Sequence, residues 1–155
     1  MATNAAEHSA TTTAHPTSTS LRVLIIDAHP AVGQGLRRLV GIMPGIEVCG
    51  LVARGEDGLK CAGLTPPDVA LVDAELPNDA GVQTIRSLRD GLPTTRVVAL
   101  GLYTAMRTAA LAAGAHAFVL KDAGFDALRA AIVATPKPSD TDRDLASAQT
   151  PRSAS

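Results

Sequence analysis

Short runs of four or five apolar residues punctuate the chain, and between them apolar residues return every three or four positions. Val23-Leu24-Ile25-Ile26 is the first run, ending in Asp27-Ala28-His29-Pro30, with Pro30 placed for the first turn of a helix. Val32, Leu36, Leu39, Val40 and Met43 follow at helical spacing up to Pro44-Gly45. Val48 to Val52 reads as a second strand, and a glycine-containing helix runs from about Glu56 to Leu64 before Pro66-Pro67 stops it. Val69 to Val72 is a third buried strand that ends in Asp73. Leu76-Pro77-Asn78-Asp79 is a turn, in which Pro sets φ and Asn and Asp are expected to hydrogen-bond their own backbone. A helix bearing Val82, Ile85 and Leu88 then runs to Gly91-Leu92-Pro93, and Val97 to Leu100 is a fourth strand ending at Gly101. An alanine-rich helix carries Met106, Ala109, Ala110 and Ala113 to Gly114. Ala117 to Leu120 is the fifth strand, ending in Lys121-Asp122, and Phe125, Leu128 and Ile132 mark the last helix. Five strands alternating with five helices predict a parallel sheet covered on both faces, the α/β class.

The ends of the chain lack this periodicity. Residues 1–20 are rich in Ala, Thr, Ser and His, and residues 135–155 in Pro, Ser, Thr and Asp, so both are expected to be disordered arms around a folded unit of residues 21–134. A chain of 155 residues, 46% of them hydrophobic, supports one such domain. The net charge of -1 and the absence of a basic run offer no footprint for direct nucleic-acid binding. No apolar stretch is long enough to span a bilayer and the N-terminus lacks a signal pattern, so a cytoplasmic protein is expected. Cys49 and Cys61 lack metal-type spacing and read as reduced packing residues.

Asp27, Asp73 and Lys121 fall at the ends of three different strands, the edge where open α/β sheets hold ligands. Acids and lysines also end strands simply because that edge meets solvent, yet three on one edge form a pattern. Two neighbouring carboxylates with a lysine counter-charge suit a hard cation such as Mg²⁺ and phosphoryl chemistry. Gly33-Gln34-Gly35 falls inside the first helix, and Arg38 stands where a dinucleotide motif needs its third glycine. His29 and His116 have no partners at ligand spacing and read as structural or solvated.

Val23-Leu-Ile-Ile-Asp27-Ala-His-Pro30, Pro67-Asp68-Val-Ala-Leu-Val-Asp73-Ala-Glu-Leu-Pro77, Thr95-Arg-Val-Val-Ala-Leu100 and Ala117-Phe-Val-Leu-Lys121-Asp122 occur in order and at family spacing. In these the chain resembles the CheY-like receiver domains of bacterial two-component response regulators, most closely those preceding LuxR-type helix-turn-helix domains. The resemblance covers residues 21–134 and implies a flavodoxin-like doubly wound sheet with strand order 2-1-3-4-5. It implies that Asp73 accepts a phosphoryl group from a histidine kinase, that Lys121 contacts the phosphoryl oxygens, and that Asp27, Asp73 and the Glu75 backbone carbonyl hold Mg²⁺. Phe118 matches the aromatic switch position. Two departures qualify the match: Ala28 replaces the usual second acid, and Gly101 replaces the hydroxyl residue that moves on activation. The loop into the fourth helix is also about two residues short against the family pattern.

The resulting expectation is an atypical, stand-alone receiver with a degenerate active site, a weak or absent Mg²⁺ site and little phosphorylation-dependent switching. It is expected to act by protein contact, with a histidine kinase, another regulator or a second copy as partner, and not as an enzyme. The alternative is a conventional receiver phosphorylated on Asp73 with Mg²⁺. A more distant one, from Asp73-Ala74-Glu75, is a haloacid-dehalogenase-like phosphatase.

Overall fold

The computed structural model describes residues 20–134. The expected arms, residues 1–19 and 135–155, lie outside the described residues, and Ser20 is exposed coil. The elements are β1 (Leu21–Ile26), α1 (Pro30–Gly41), β2 (Ile46–Val52), α2 (Gly55–Leu64), β3 (Val69–Asp73), α3 (Ala80–Gly91), β4 (Arg96–Gly101), α4 (Arg107–Ala112), β5 (Ala117–Leu120) and α5 (Phe125–Val133). Short 3₁₀ turns at Pro77–Asp79 and Thr104–Met106 lead into α3 and α4. All four ladders are parallel and the order is β2-β1-β3-β4-β5, as the alternating pattern and the resemblance imply.

Alternation along each central strand divides the core in two. Leu24, Ile26, Ala70, Val72, Val97 and Ala99 face α2, α3 and α4, meeting Ala62, Ile85, Leu88 and Ala110. Val23, Ile25, Val69, Leu71, Val98 and Leu100 face α1 and α5, meeting Leu36, Val40, Leu128 and Ile132. Burial on both faces is why these strands read as continuous apolar runs.

The structure revises several local readings. The second strand begins at Ile46, whose side chain is buried, two residues earlier than the sequence pattern suggests. Cys49 does not pack: the ladder passes from Val23↔Val48 to Leu24↔Gly50, leaving Cys49 as an exposed bulge residue on an edge strand. Cys61 is likewise exposed, so both thiols are free but neither belongs to the core. After β3, Asn78 and Asp79 both adopt the left-handed conformation, with φ of 59° each, and the Asp79 side chain caps nothing. That turn therefore rests on the tolerance of Asn and Asp for positive φ rather than on side-chain hydrogen bonds.

Candidate functional site

Three backbone bonds fix the strand ends that carry the site. Asp27 N–H donates to the Val52 carbonyl (3.0 Å), Ala74 N–H to the Leu100 carbonyl (2.8 Å) and Lys121 N–H to the Gly101 carbonyl (2.9 Å). The support beneath Asp73 is tighter still. A Cβ added at Gly81, in the first turn of α3, would collide with the Asp73 carbonyl oxygen and stand 2.7 Å from the carbonyl carbon of Ala74, so only glycine lets α3 come this close.

Asp27, Asp73 and Lys121 converge as their positions at one sheet edge predict. Lys121 Nζ lies 2.8 Å from Asp27 Oδ2 and 3.3 Å from Asp73 Oδ2, with the three side chains 4%, 1% and 0% exposed. Two formal negative charges thus share one positive charge away from water. The remaining carboxylate oxygens fold the following loops back: Asp27 Oδ1 accepts the His29 N–H (2.8 Å) and Asp73 Oδ1 accepts the Glu75 N–H (2.9 Å). Asp27 Oδ2, Asp73 Oδ2 and Lys121 Nζ have no aligned hydrogen bond, and their contacts are purely ionic.

His29 departs from the sequence reading, which gives it no partners. Its Nδ1 stands 3.5 Å from Asp27 Oδ1 and 3.7 Å from Asp73 Oδ2, and its side chain is 57% exposed at the mouth of the site. Asp27, His29 and Asp73 each offer a ligand atom, all within 4.8 Å of one another. The signal in the sequence was the spacing Asp27-x-His29 at a strand end, where a turn closed by the aspartate brings the imidazole back over it.

Glu75 also acts through a group that sequence reasoning missed. Its side-chain Oε2 accepts the Leu102 N–H at 2.8 Å, tying the loop after β3 to the loop after β4. This bond holds one oxygen of the Glu75 carboxylate toward the loop after β4. Ala28 packs toward α2 and α3, where with Gly55, Glu56, Pro77 and Gln83 it lines an open cavity of about 560 Å³.

Gly101 ends β4, fully buried, and Phe118 stands beside its neighbour Ala99 across the β4–β5 ladder. A Cβ at Gly101 would lie 2.8 Å from Phe118 Cζ, 3.1 Å from Cε2 and 3.2 Å from the Tyr103 carbonyl oxygen. The aromatic ring therefore reaches into the space a side chain at position 101 would need.

Comparison with known proteins gives this geometry a family. Residues 23–133 match the response regulator receiver domain. The chain is 33% identical over 114 residues to the transcriptional regulatory protein MctR of Rhizobium johnstonii, covering 72% of this chain and 53% of that protein. It is 35% identical over 106 residues to the response regulator GacA of Pseudomonas viridiflava, covering 67% and 50%. The chain thus spans about half the length of the curated relatives it matches. Among solved structures, the receiver domain of a putative NarL from Mycobacterium tuberculosis superposes with a TM-score of 0.67 at 28% identity, covering 75% of this chain and 98% of that one. A LuxR-family regulator from Aurantimonas gives 0.66 at 25% identity, covering 84% and 98%. The carboxylate pair with its lysine, the strand order and these matches together show that the chain belongs to the receiver-domain family of two-component response regulators, and is a signal-transduction module.

Proposed function

We propose that this receiver works by protein contact with its phosphorylation switch largely silent. The observation that carries the reading is the Phe118 ring packed against Gly101, where there is no hydroxyl for a phosphoryl group on Asp73 to draw in. A hydrogen bond to a charged group is worth about 1.5–3 kcal/mol, and coupling between sites typically amounts to about 1–3 kcal/mol. Removing that one hydrogen bond removes most of the difference a phosphoryl group could make between two conformations, and a ligand without differential affinity shifts no population. The face formed by α4, β5 and α5 then keeps one shape and offers it to a protein partner such as a kinase or another regulator. The chain's role is contact rather than catalysis, and nothing in its charge favours direct binding to nucleic acid. With Ala28 in place of a carboxylate, Mg²⁺ is left with Asp27, Asp73 and backbone oxygen, and is bound weakly.

The second reading, a conventional receiver phosphorylated on Asp73, draws on the retained Asp27–Asp73–Lys121 grouping. Backbone amide spectra in saturating Mg²⁺ and beryllium fluoride, a phosphoryl mimic, separate the two. We expect shifts confined to the loops around Asp73, in the wild type and in Ala28→Asp, which restores the missing ligand. No response at all agrees with the same reading. Shifts spreading through α4, β5 and α5 in the wild type, and absent in Asp73→Asn, would establish the conventional receiver.

A further inference from the structure

We infer that Asp27, His29 and Asp73 form a site for a borderline divalent cation of the Zn²⁺ type, which the receiver holds in preference to Mg²⁺. Mg²⁺ demands near-octahedral oxygen ligands and is reluctant to shed water. The residues present do not suit it: position 28 supplies a methyl group where an oxygen ligand is needed, and the third side chain at the mouth is an imidazole. Imidazole with carboxylates is instead a donor set for Zn²⁺ and its neighbours, commonly three protein ligands with one position open.

The separations of the ligand atoms bear on the geometry. Bonds of about 2.0–2.2 Å place tetrahedral ligands about 3.3–3.6 Å apart, whereas octahedral bonds of about 2.0–2.1 Å place adjacent oxygens about 2.9 Å apart. Two separations, 3.5 Å from His29 Nδ1 to Asp27 Oδ1 and 3.7 Å from His29 Nδ1 to Asp73 Oδ2, lie nearer the tetrahedral spacing than the octahedral one, and all three ligand atoms lie within 4.8 Å of one another. A second observation points to a ligand. Asp73 Oδ2 is wholly buried, lacks a hydrogen-bond donor and faces the imidazole, so a cation there would satisfy an oxygen that is otherwise left to Lys121 alone. His29 is half exposed, which gives the ion an entry path and leaves the open position toward solvent. A cation so held occupies Asp73 Oδ2, the oxygen that faces the His29 imidazole, and competes with any phosphoryl donor for that carboxylate. The inference does not depend on a silent switch, since a receiver that switches normally could hold the same ion.

The test is calorimetric titration of the full chain with Zn²⁺ and, separately, with Mg²⁺, for the wild type, His29→Gln and Asp73→Asn. The absorption spectrum of added Co²⁺ reports coordination number, because four-coordinate Co²⁺ absorbs visible light far more strongly than six-coordinate Co²⁺. We expect Zn²⁺ to bind at least a hundredfold more tightly than Mg²⁺, with an intense four-coordinate Co²⁺ spectrum. His29→Gln should weaken Zn²⁺ at least tenfold and leave Mg²⁺ unchanged, while Asp73→Asn weakens both. His8, His15 and His116 remain in every protein compared, so the difference reports position 29. Unchanged Zn²⁺ affinity in His29→Gln, or Zn²⁺ binding no tighter than Mg²⁺, overturns the inference. Because His29 is half exposed, the variant should keep the wild-type melting temperature, and Asp73→Asn serves as the second probe of the site if it does not.

Discussion

Substituting Gly101 with alanine adds a single methyl group at the contact between β4 and the Phe118 ring. That methyl would sit 2.8 Å from Phe118 Cζ and 3.2 Å from the Tyr103 carbonyl oxygen, closer than carbon atoms pack. Forcing an extra methylene into a packed site costs about 1–3 kcal/mol. Replacing a glycine within a strand returns about 0.5–1 kcal/mol of backbone entropy. The net loss should be about 1–2 kcal/mol. Urea unfolding followed by circular dichroism should then show a midpoint lower by about 0.5–1 M, taking a slope near 2 kcal/mol/M. The decisive comparison repeats the substitution in Phe118→Ala. Once the ring is gone only the contact with the Tyr103 carbonyl remains, so the penalty should fall and the two positions should couple by at least about 1 kcal/mol. An equal penalty in both backgrounds would show that the ring does not fill this space, and would remove the basis for a silent switch.

Lys121→Met should destabilise the fold by about 3–5 kcal/mol, since it leaves Asp27 and Asp73 buried together without their counter-charge. A loss under about 1 kcal/mol in urea unfolding would show that the carboxylates are solvated or separate when the lysine is absent. His116 gives the stability a pH dependence. Burial, and then Arg89 and Arg96, push its imidazole below the usual value, while Nδ1 accepts the Val97 N–H at 3.0 Å. The unfolded chain therefore takes up the proton first, so this contribution is complete above about pH 6.5 and is lost as pH falls through the lowered folded value. His116→Asn should flatten that acid-side fall in the urea midpoint, and an unchanged slope would refute the assignment.

The strand ends were legible because burial and chemistry coincide there. Runs such as Val69 to Val72 are apolar on both faces and break at Asp73, so one feature marks both a central strand and its candidate site residue. What stayed hidden depended on neighbours from other parts of the chain. Cys49 looked like part of a buried strand, but a register shift against β1 at an edge turned it outward, and no property of β2 alone announces that. His29 looked solitary because its partner Asp73 arrives from another strand. The Glu75 bond to Leu102 likewise spans two loops whose approach is set by the sheet. Gly101 was read as a missing hydroxyl, whereas the structure adds that Phe118 fills the gap.

The strand order also governs when the acidic site can come into being. Three of the four ladders join strands that follow one another in the chain, and only the β1–β3 ladder joins β1-α1-β2 to everything after α2. Loop closure makes such a non-local pairing slow relative to local ones. Asp27 belongs to the first part, Asp73 and Lys121 to the second, and the β1–β3 ladder is the seam between them. Asp27 therefore meets Asp73 only in a chain that has already docked its two parts. The like charges do not oppose the early steps of folding, and by the time they face each other the last strand can supply the ammonium that holds them together.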